Sequence, residues 1–403
     1  MTTQKKQALL FLLLIGIISL LADFTHEGAR SIYGPYLGLL GVSAFMVSFT
    51  AGLGEFIGQS LRIVTGIIAD KTKQYWLMMF IGYAINLLVI PLLYFVQPGF
   101  FEVAIILILL ERVGKGIRAP AKSALTSFVS PHLGAGKTFA LQEMMDQLGA
   151  FLGPLFVFLV LSINKGSELN GYQISFGLLG IFSIMTLVVI LVARLKYPTP
   201  DHFEVSKHAT HFRGNKAFII YLVAISFIAL GFIDYPFMAY HIKTYDLMDI
   251  AYVPLLYAYA MGIDAISALV FGILFDRIQV KALLISILIS LCFSPVFFLN
   301  QNLVSVIIGV TLWGIGMGAL ESILKAVIST SVSKDKRATA YGIFYTVFGL
   351  SWFIGSSIVG SLYGISIEAV VIFSVSMEIL GVIMLCVYQK AVKDYINDTV
   401  SNH

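Results

Sequence analysis

At 403 residues the chain has length for two or three soluble domains, but 58% of its residues are hydrophobic and 12% charged, a balance that excludes an ordinary soluble protein. No nucleic-acid partner is expected, and the net charge of +4 says little by itself; its distribution says much more. Continuous apolar runs, such as Ala8 to Leu21 and Val103 to Leu110 with their flanks, exclude barrel strands, whose apolarity alternates, and leave membrane-spanning helices.

In chain order, the apolar runs between charged or turn-forming breaks predict helices over 7–37, 44–69, 75–96, 101–127, 138–163 and 171–194. After a polar stretch they predict helices over 216–243, 249–275, 281–299, 303–330, 338–363 and 367–389, twelve in all. The opening MTTQKK with its apolar run has the look of a secretion signal, but no small-residue cleavage site ends it and Asp23, Glu27 and Arg30 follow, so a retained first helix is expected. The polar interruption at 195–215 reads as a cytoplasmic linker between an N-terminal half (1–194) and a C-terminal half (216–390), with 391–403 as a cytoplasmic tail. Its histidines His202, His208 and His211 show no recurring ligand spacing and read as a solvated loop. Cys292 and Cys386 lie far apart in apolar stretches, and buried inert thiols are expected there.

Placing the N-terminus in the cytoplasm puts Lys5, Lys6, Lys71, Lys73, Lys137, Arg194, Lys196, Lys207, Arg213, Lys216, Arg277, Lys281, Lys334, Lys336, Arg337, Lys390 and Lys393 on that side. Only Lys165 and Lys243 fall opposite, so both termini of a multi-pass inner-membrane protein are expected in the cytoplasm.

The second half echoes the first. Gly66-Ile-Ile-Ala-Asp70-Lys71 between helices two and three is matched by Gly272-Ile-Leu-Phe-Asp276-Arg277 between eight and nine, and Asp23 of helix one by Asp234 of helix seven. Helix four carries Arg118 and Lys122 where helix ten carries Glu321 and Lys325. Parallel halves of this kind are a transporter architecture. With these repeats, with Arg112-Val-Gly-Lys115-Gly116 in helix four and with Gly149-Ala-Phe-Leu-Gly153-Pro154 in helix five, the chain resembles the major facilitator superfamily over essentially its whole length. The segments LADFTHEGARSIYGPYL, ERVGKGIRAPAKSAL and MMDQLGAFLGPL are similar to a prokaryotic permease branch with a GKGIR-type fourth helix. The resemblance implies an all-α membrane protein of twelve transmembrane helices in two pseudo-symmetric six-helix bundles, with helices one, four, seven and ten lining a central cavity. It also implies gating by Gly66, Asp70, Arg112, Gly272, Asp276 and Arg277, with Asp70 holding Arg112 at the cytoplasmic end. The helix-five motif is similar to one frequent in proton antiporters, but lacks the usual trailing glycines over Leu155 to Phe158.

Charged side chains within spans are costly enough that they must face protein or water. Asp23, Glu27 and Arg30 share a face of helix one; Glu111, Lys115, Arg118 and Lys122 form a stripe down helix four; Asp234 and His241 share a face of helix seven, and Glu321 and Lys325 one of helix ten. Glu111 with Lys115, and Glu321 with Lys325, can pair within their helices. Arg118 and Lys122 have no acid at helical spacing, and read either as an anion-attracting wall or as partners of Asp23, Glu27 or Asp146. Candidate substrate residues are Arg30, Arg118, Lys122, Tyr33, Tyr235, Glu321 and Lys325; candidate proton carriers are Asp23, Glu27, Asp146 and Asp234. Asp23 and Glu27 lead, because two acids one turn apart disfavour simultaneous ionisation.

No GxxxxGK[ST] is present, so an ion gradient, of protons or Na⁺, is the expected energy source. The expected function is secondary transport of a small organic solute, anionic or zwitterionic, by a monomer among membrane lipids, with no cofactor and no enzymatic activity. The alternatives are an efflux antiporter for drugs or metabolites, and a carrier of a divalent metal or an anionic metal chelate, the latter suggested by His26 beside Asp23 and Glu27 and by His241.

Overall fold

The fold is that of a computed structural model, which describes residues 3–129, 133, 135–164, 166–198, 216–331 and 337–401. Among the described residues all regular structure is helical. The first six spans are α1 (Thr3–Leu39), α2 (Ala44–Thr72), α3 (Tyr75–Leu92), α4 (Phe101–Phe128), α5 (Ala135–Ile163) and α6 (Glu168–Lys196). The second six are α7 (Lys216–Gly231 and Tyr235–Thr244), α8 (Val253–Ile278), α9 (Val280–Ser290 and Phe293–Phe298), α10 (Leu303–Ser331), α11 (Arg337–Tyr363) and α12 (Ile367–Ser401). The predicted linker lies outside the described residues from 199 onward, and with it its three histidines. The predicted tail begins as helix, since α12 runs unbroken to Ser401.

Among the described residues ten helices are long and apolar enough to cross a membrane, and α2 and α4 are not among them. These two carry Glu55, Arg62, Glu111, Arg112, Lys115, Arg118 and Lys122. Their charges turn inward, Glu111 being fully buried and Arg118 only 4% exposed. The outside is aliphatic: Ile181, Ile184 and Val188 of α6, and Ile266, Leu269 and Val270 of α8, are exposed, as a lipid solvent requires. Cys292 and Cys386 also lie on exposed faces, which corrects the expectation that they are buried.

The internal repeat is visible in the packing. α1 packs against α5 and α6, and α3 against α4 and α6; six spans later, α7 packs against α11 and α12, and α9 against α10 and α12. The α1–α5 contact depends on the helix-five glycines. A Cβ at Gly149 would strike the Leu20 carbonyl oxygen, and one at Gly153 the Phe24 carbonyl oxygen, so only hydrogen fits where the two backbones meet. Gly355 of α11 stands in the same relation to Leu230 of α7.

Two helices predicted as continuous are broken, and proline accounts for both. Pro236 has no N–H to donate and its ring crowds the carbonyl four residues back, at Phe232, where the first piece of α7 has just ended. Pro295 does the same at Leu291, the break in α9.

The chain divides into two compact units: 1–43, 53–207 and 238–259 form one, and 44–52, 208–237 and 260–403 the other. The start of α2 thus groups with the second unit, and the end of α7 and start of α8 with the first.

Candidate functional site

The first unit buries a continuous network of charges. α1 presents Asp23, His26, Glu27 and Arg30 at a spacing that keeps them on one side of the helix, and α4 presents Glu111, Arg112, Lys115, Arg118 and Lys122 toward them. At one end, Lys122 Nζ lies 2.8 Å from Asp146 Oδ2 of α5. One turn along α4, the Arg118 guanidinium donates to Asp23 Oδ1 at 3.1 Å and to the Tyr83 hydroxyl of α3 at 3.0 Å, and sits 4.5 Å from the Tyr83 ring centroid. Hydrogen bond, ion pair and ring face therefore hold one planar group in one orientation.

In the middle, Lys115 Nζ donates to His26 Nε2 at 2.8 Å, with Glu27 Oε1 3.9 Å away. An Nε2 that accepts leaves the ring proton on Nδ1, which lies 2.7 Å from Glu111 Oε1. His26 thereby links a base of α4 to an acid of α4 through α1. Glu111 also accepts from the Asn86 side-chain amide of α3, and its Oε2 lies 3.2 Å from Arg112 Nε. At the far end, Arg112 Nη1 donates to Glu55 Oε1 of α2 at 2.8 Å; Arg30 reaches the same oxygen at 3.7 Å and Glu27 at 3.6 Å. Glu27 Oε2 accepts from the Tyr257 hydroxyl of α8 at 2.7 Å.

Among the described residues, these ion pairs join the cations Arg30, Arg112, Lys115, Arg118 and Lys122 to the carboxylates Asp23, Glu27, Glu55, Glu111 and Asp146. Of the two sequence readings of Arg118 and Lys122, cross-helix pairing is the one the structure displays. Among the described residues the intrahelical pair open to Glu111 and Lys115 is not formed, because each side chain finds a partner on α1 or α3. The pairing of Arg112 with Asp70 is likewise corrected. Arg112 sits at the level of Glu55, whereas Asp70 is exposed fifteen residues further along α2, roughly 22 Å away along the axis.

Other sequence candidates lie elsewhere. Tyr33 is buried one turn beyond Arg30, its ring 6.1 Å from that of Phe176. Gly66 packs against Pro120 of α4. Asp234, Tyr235, Gly272, Asp276, Arg277 and Glu321 belong to the second unit, where Asp276, Arg277 and Glu321 are exposed and nothing lies within 4 Å of a Cβ built on Gly272. The Lys325 side chain lies outside the described residues. His241 is buried in the second piece of α7, its ring 4.6 Å from that of Tyr245. Among the described residues no group of three or more His, Cys, Asp or Glu is placed to hold a metal ion, and both nitrogens of His26 already face other side chains.

The structure adds Glu55, Tyr83, Asn86 and Tyr257 to the site. Asn86 had a signal in the sequence: it is a lone amide within the apolar run of α3, where an unshared polar group is costly.

The family model of the Major Facilitator Superfamily matches residues 12–356 and 251–397. The chain belongs to this superfamily. It is 33% identical over 385 residues to the uncharacterized protein Rv2265 of Mycobacterium tuberculosis (strain ATCC 25618 / H37Rv), covering 93% of this chain and 92% of that one. It is 27% identical over 394 residues to the uncharacterized MFS-type transporter MJ1317 of Methanocaldococcus jannaschii, covering 92% and 93% of the two chains. A crystal structure of the nucleoside transporter NupG shares its fold at a TM-score of 0.72 and 14% identity, over 95% of this chain and 99% of that one. Superfamily membership, with the ten membrane-crossing helices among the described residues, makes this a multi-pass membrane protein of a transporter family.

Proposed function

We propose that this superfamily member is a proton-driven secondary transporter of the inner membrane, with both termini in the cytoplasm, that moves a small anionic or zwitterionic organic solute by alternating access. The observation that carries the reading is the hold on Arg118, a guanidinium 4% exposed and clamped between Asp23 and Tyr83. A proton arriving on Asp23 cancels its charge and frees the fork of Arg118 for a substrate carboxylate or phosphate; loss of that proton returns Arg118 to Asp23 and expels the anion. Lys122 and Asp146 repeat the exchange one turn away. Burial supports the mechanism, since neither charge of an enclosed pair tolerates being left alone, and proton and substrate each supply what the other removes. Arg30, Tyr33 and Glu27 extend the same wall. In this reading Tyr235, Glu321 and Lys325 are the second unit's own candidates for holding solute, with Asp234 as a further proton carrier. Gly66, Asp70, Arg112, Gly272, Asp276 and Arg277 serve the gating motion, and the transporter works as a monomer surrounded by lipid.

The test is uptake into proteoliposomes of a metabolite panel that includes nucleosides and carboxylated solutes, under an imposed pH gradient. Uptake of at least one anionic or zwitterionic solute is expected to follow the gradient, and to be abolished by Arg118→Ala and uncoupled from pH by Asp23→Asn. A transported solute indifferent to the gradient and to both substitutions rules the mechanism out.

A further inference from the structure

Beyond the network of the first unit, Asp234, Asp264 and Glu378 are buried carboxylates of the second, and Glu378 is the most enclosed of the three. Glu378, in the middle of α12, is 1% exposed, and among the described residues neither of its oxygens has a hydrogen-bond partner. It packs on the end of the first piece of α7, where a Cβ at Gly231 would stand 3.1 Å from Glu378 Cγ. One turn earlier on the same face of α12, the Ser374 hydroxyl donates to the Gly231 carbonyl at 2.7 Å. On α10, the Trp313 indole N–H donates to the Ile233 carbonyl at 2.8 Å. Two side-chain donors thus stitch the carbonyls that the break in α7 sets free, and one of them lies within a turn of Glu378.

The elements packed against α12 are α7, α11 and both pieces of α9. Their titratable groups include Asp234 at the break, which accepts from the Tyr235 backbone N–H at 2.9 Å, and Tyr221, whose ring lies 5.4 Å from that of Tyr388 on α12. Tyr341 and Tyr345 lie on α11, and Lys281 at the start of α9 is exposed. Among the described residues none of these forms an ion pair or hydrogen bond with Glu378. A carboxylate enclosed without cation or donor is strongly disfavoured, whereas the neutral acid is tolerated.

We propose that Glu378 is a proton-binding site of the second unit, and that its ionisation draws the Ser374 hydroxyl away from the Gly231 carbonyl and loosens the break in α7. The proton passes from the carboxyl oxygen to water. The carboxylate left behind is a stronger acceptor than a backbone carbonyl, and the Ser374 O–H, one turn away, is the donor nearest in sequence on that face. The role in transport rests on the proton-driven reading above, but protonation and its structural response can be followed without any transported solute.

The experiment uses the full chain in lipid nanodiscs. Infrared difference spectra between low and high pH read the carboxylic-acid C=O band, and tryptophan emission reads the break, because Trp313 and Trp352 lie with ring centroids 6.1 and 5.5 Å from Phe232. A Trp76→Phe background removes the third tryptophan. Raising the pH is expected to remove a carboxylic-acid band and to shift the emission. Glu378→Gln loses both responses, Glu378→Asp keeps both at a displaced pH, and Ser374→Ala keeps the band change but loses the emission shift. A band and emission shift unchanged in Glu378→Gln overturn the site, and an undiminished emission shift in Ser374→Ala overturns its coupling to the break. Uptake that ignores a pH gradient, with the band still dependent on Glu378, would fell the proton-driven reading and leave this site standing.

Discussion

The two halves share a packing plan and differ in how they tolerate polar groups inside a membrane. In the first half, acids and bases of α1, α2, α4 and α5 neutralise one another across helices, from Lys122–Asp146 at one end to Arg112–Glu55 at the other. Away from their ends, the spans of the second half carry Asp234, Asp264, Glu321 and Glu378 against Lys325, so their interior charges do not balance in the sequence itself. There the structure breaks α7 and α9 at prolines, and serves the exposed backbone at the α7 break with neutral donors. The difference teaches that one fold can hold polarity either as ion pairs, which respond to removal of a partner, or as an enclosed acid such as Glu378, without a hydrogen-bond partner among the described residues, beside a helix break, where a proton is the partner we propose.

The largest expected effect lies in the first half. Arg118→Ala strands the part-buried carboxylate of Asp23 and leaves the buried clamp around it empty, and is expected to cost about 3–5 kcal/mol of stability, measured by thermal unfolding in detergent. Removing Asp23 as well restores much of the loss, because the penalty belongs to the uncompensated charge. If Arg118→Ala and the double substitution are equally destabilised, the pair is not the unit that holds this site together.

Tyr83→Phe separates the two parts of the clamp. It removes the hydroxyl that Arg118 contacts at 3.0 Å and keeps the ring face at 4.5 Å. A loss of about 1.5–3 kcal/mol is expected for a hydrogen bond to a charged group, with a further loss in Tyr83→Leu, read from the same unfolding midpoints.

Glycine substitutions test what the halves have in common. Gly153→Ala forces α5 off the α1 backbone at Phe24, and Gly355→Ala forces α11 off α7 at Leu230. Each is expected to cost about 1–3 kcal/mol, as overpacking does, and the two costs should match if the repeat is structural as well as sequential. Unequal unfolding midpoints would restrict the repeat to topology.

Much of this was legible in the sequence. Twelve apolar runs named the spans, although the break in α7 at Pro236 interrupts one that reads as continuous. The four-three-four spacing on α4 pointed Glu111, Lys115, Arg118 and Lys122 along one stripe. What spacing could not supply was the choice of partner. Lys115 can reach Glu111 within its own helix, yet it bonds to His26, because α1 packs against α4 there and sets the imidazole beside both side chains. Partner choice is a property of helix separation, which a single sequence does not encode locally. Glu55 was missed for the same reason: nothing on α2 announces that Arg112 of α4 arrives beside it.

The smallest expected effect discriminates most sharply. Glu378→Leu exchanges an enclosed acid, without hydrogen-bond partners among the described residues, for an apolar side chain of similar size. If Glu378 is held as the neutral acid, nothing charged is lost and stability changes by less than about 1 kcal/mol at low pH, in contrast to Arg118→Ala. At high pH the wild type must either ionise an enclosed carboxylate or keep its proton against the solvent, a burden that leucine does not carry, so the variant becomes the more stable of the two as pH rises. Unfolding midpoints of wild type and Glu378→Leu measured across pH decide the matter. A loss of about 3–5 kcal/mol at every pH would mean that Glu378 is one half of an ion pair, and that the second half stabilises its polar groups in the same way as the first.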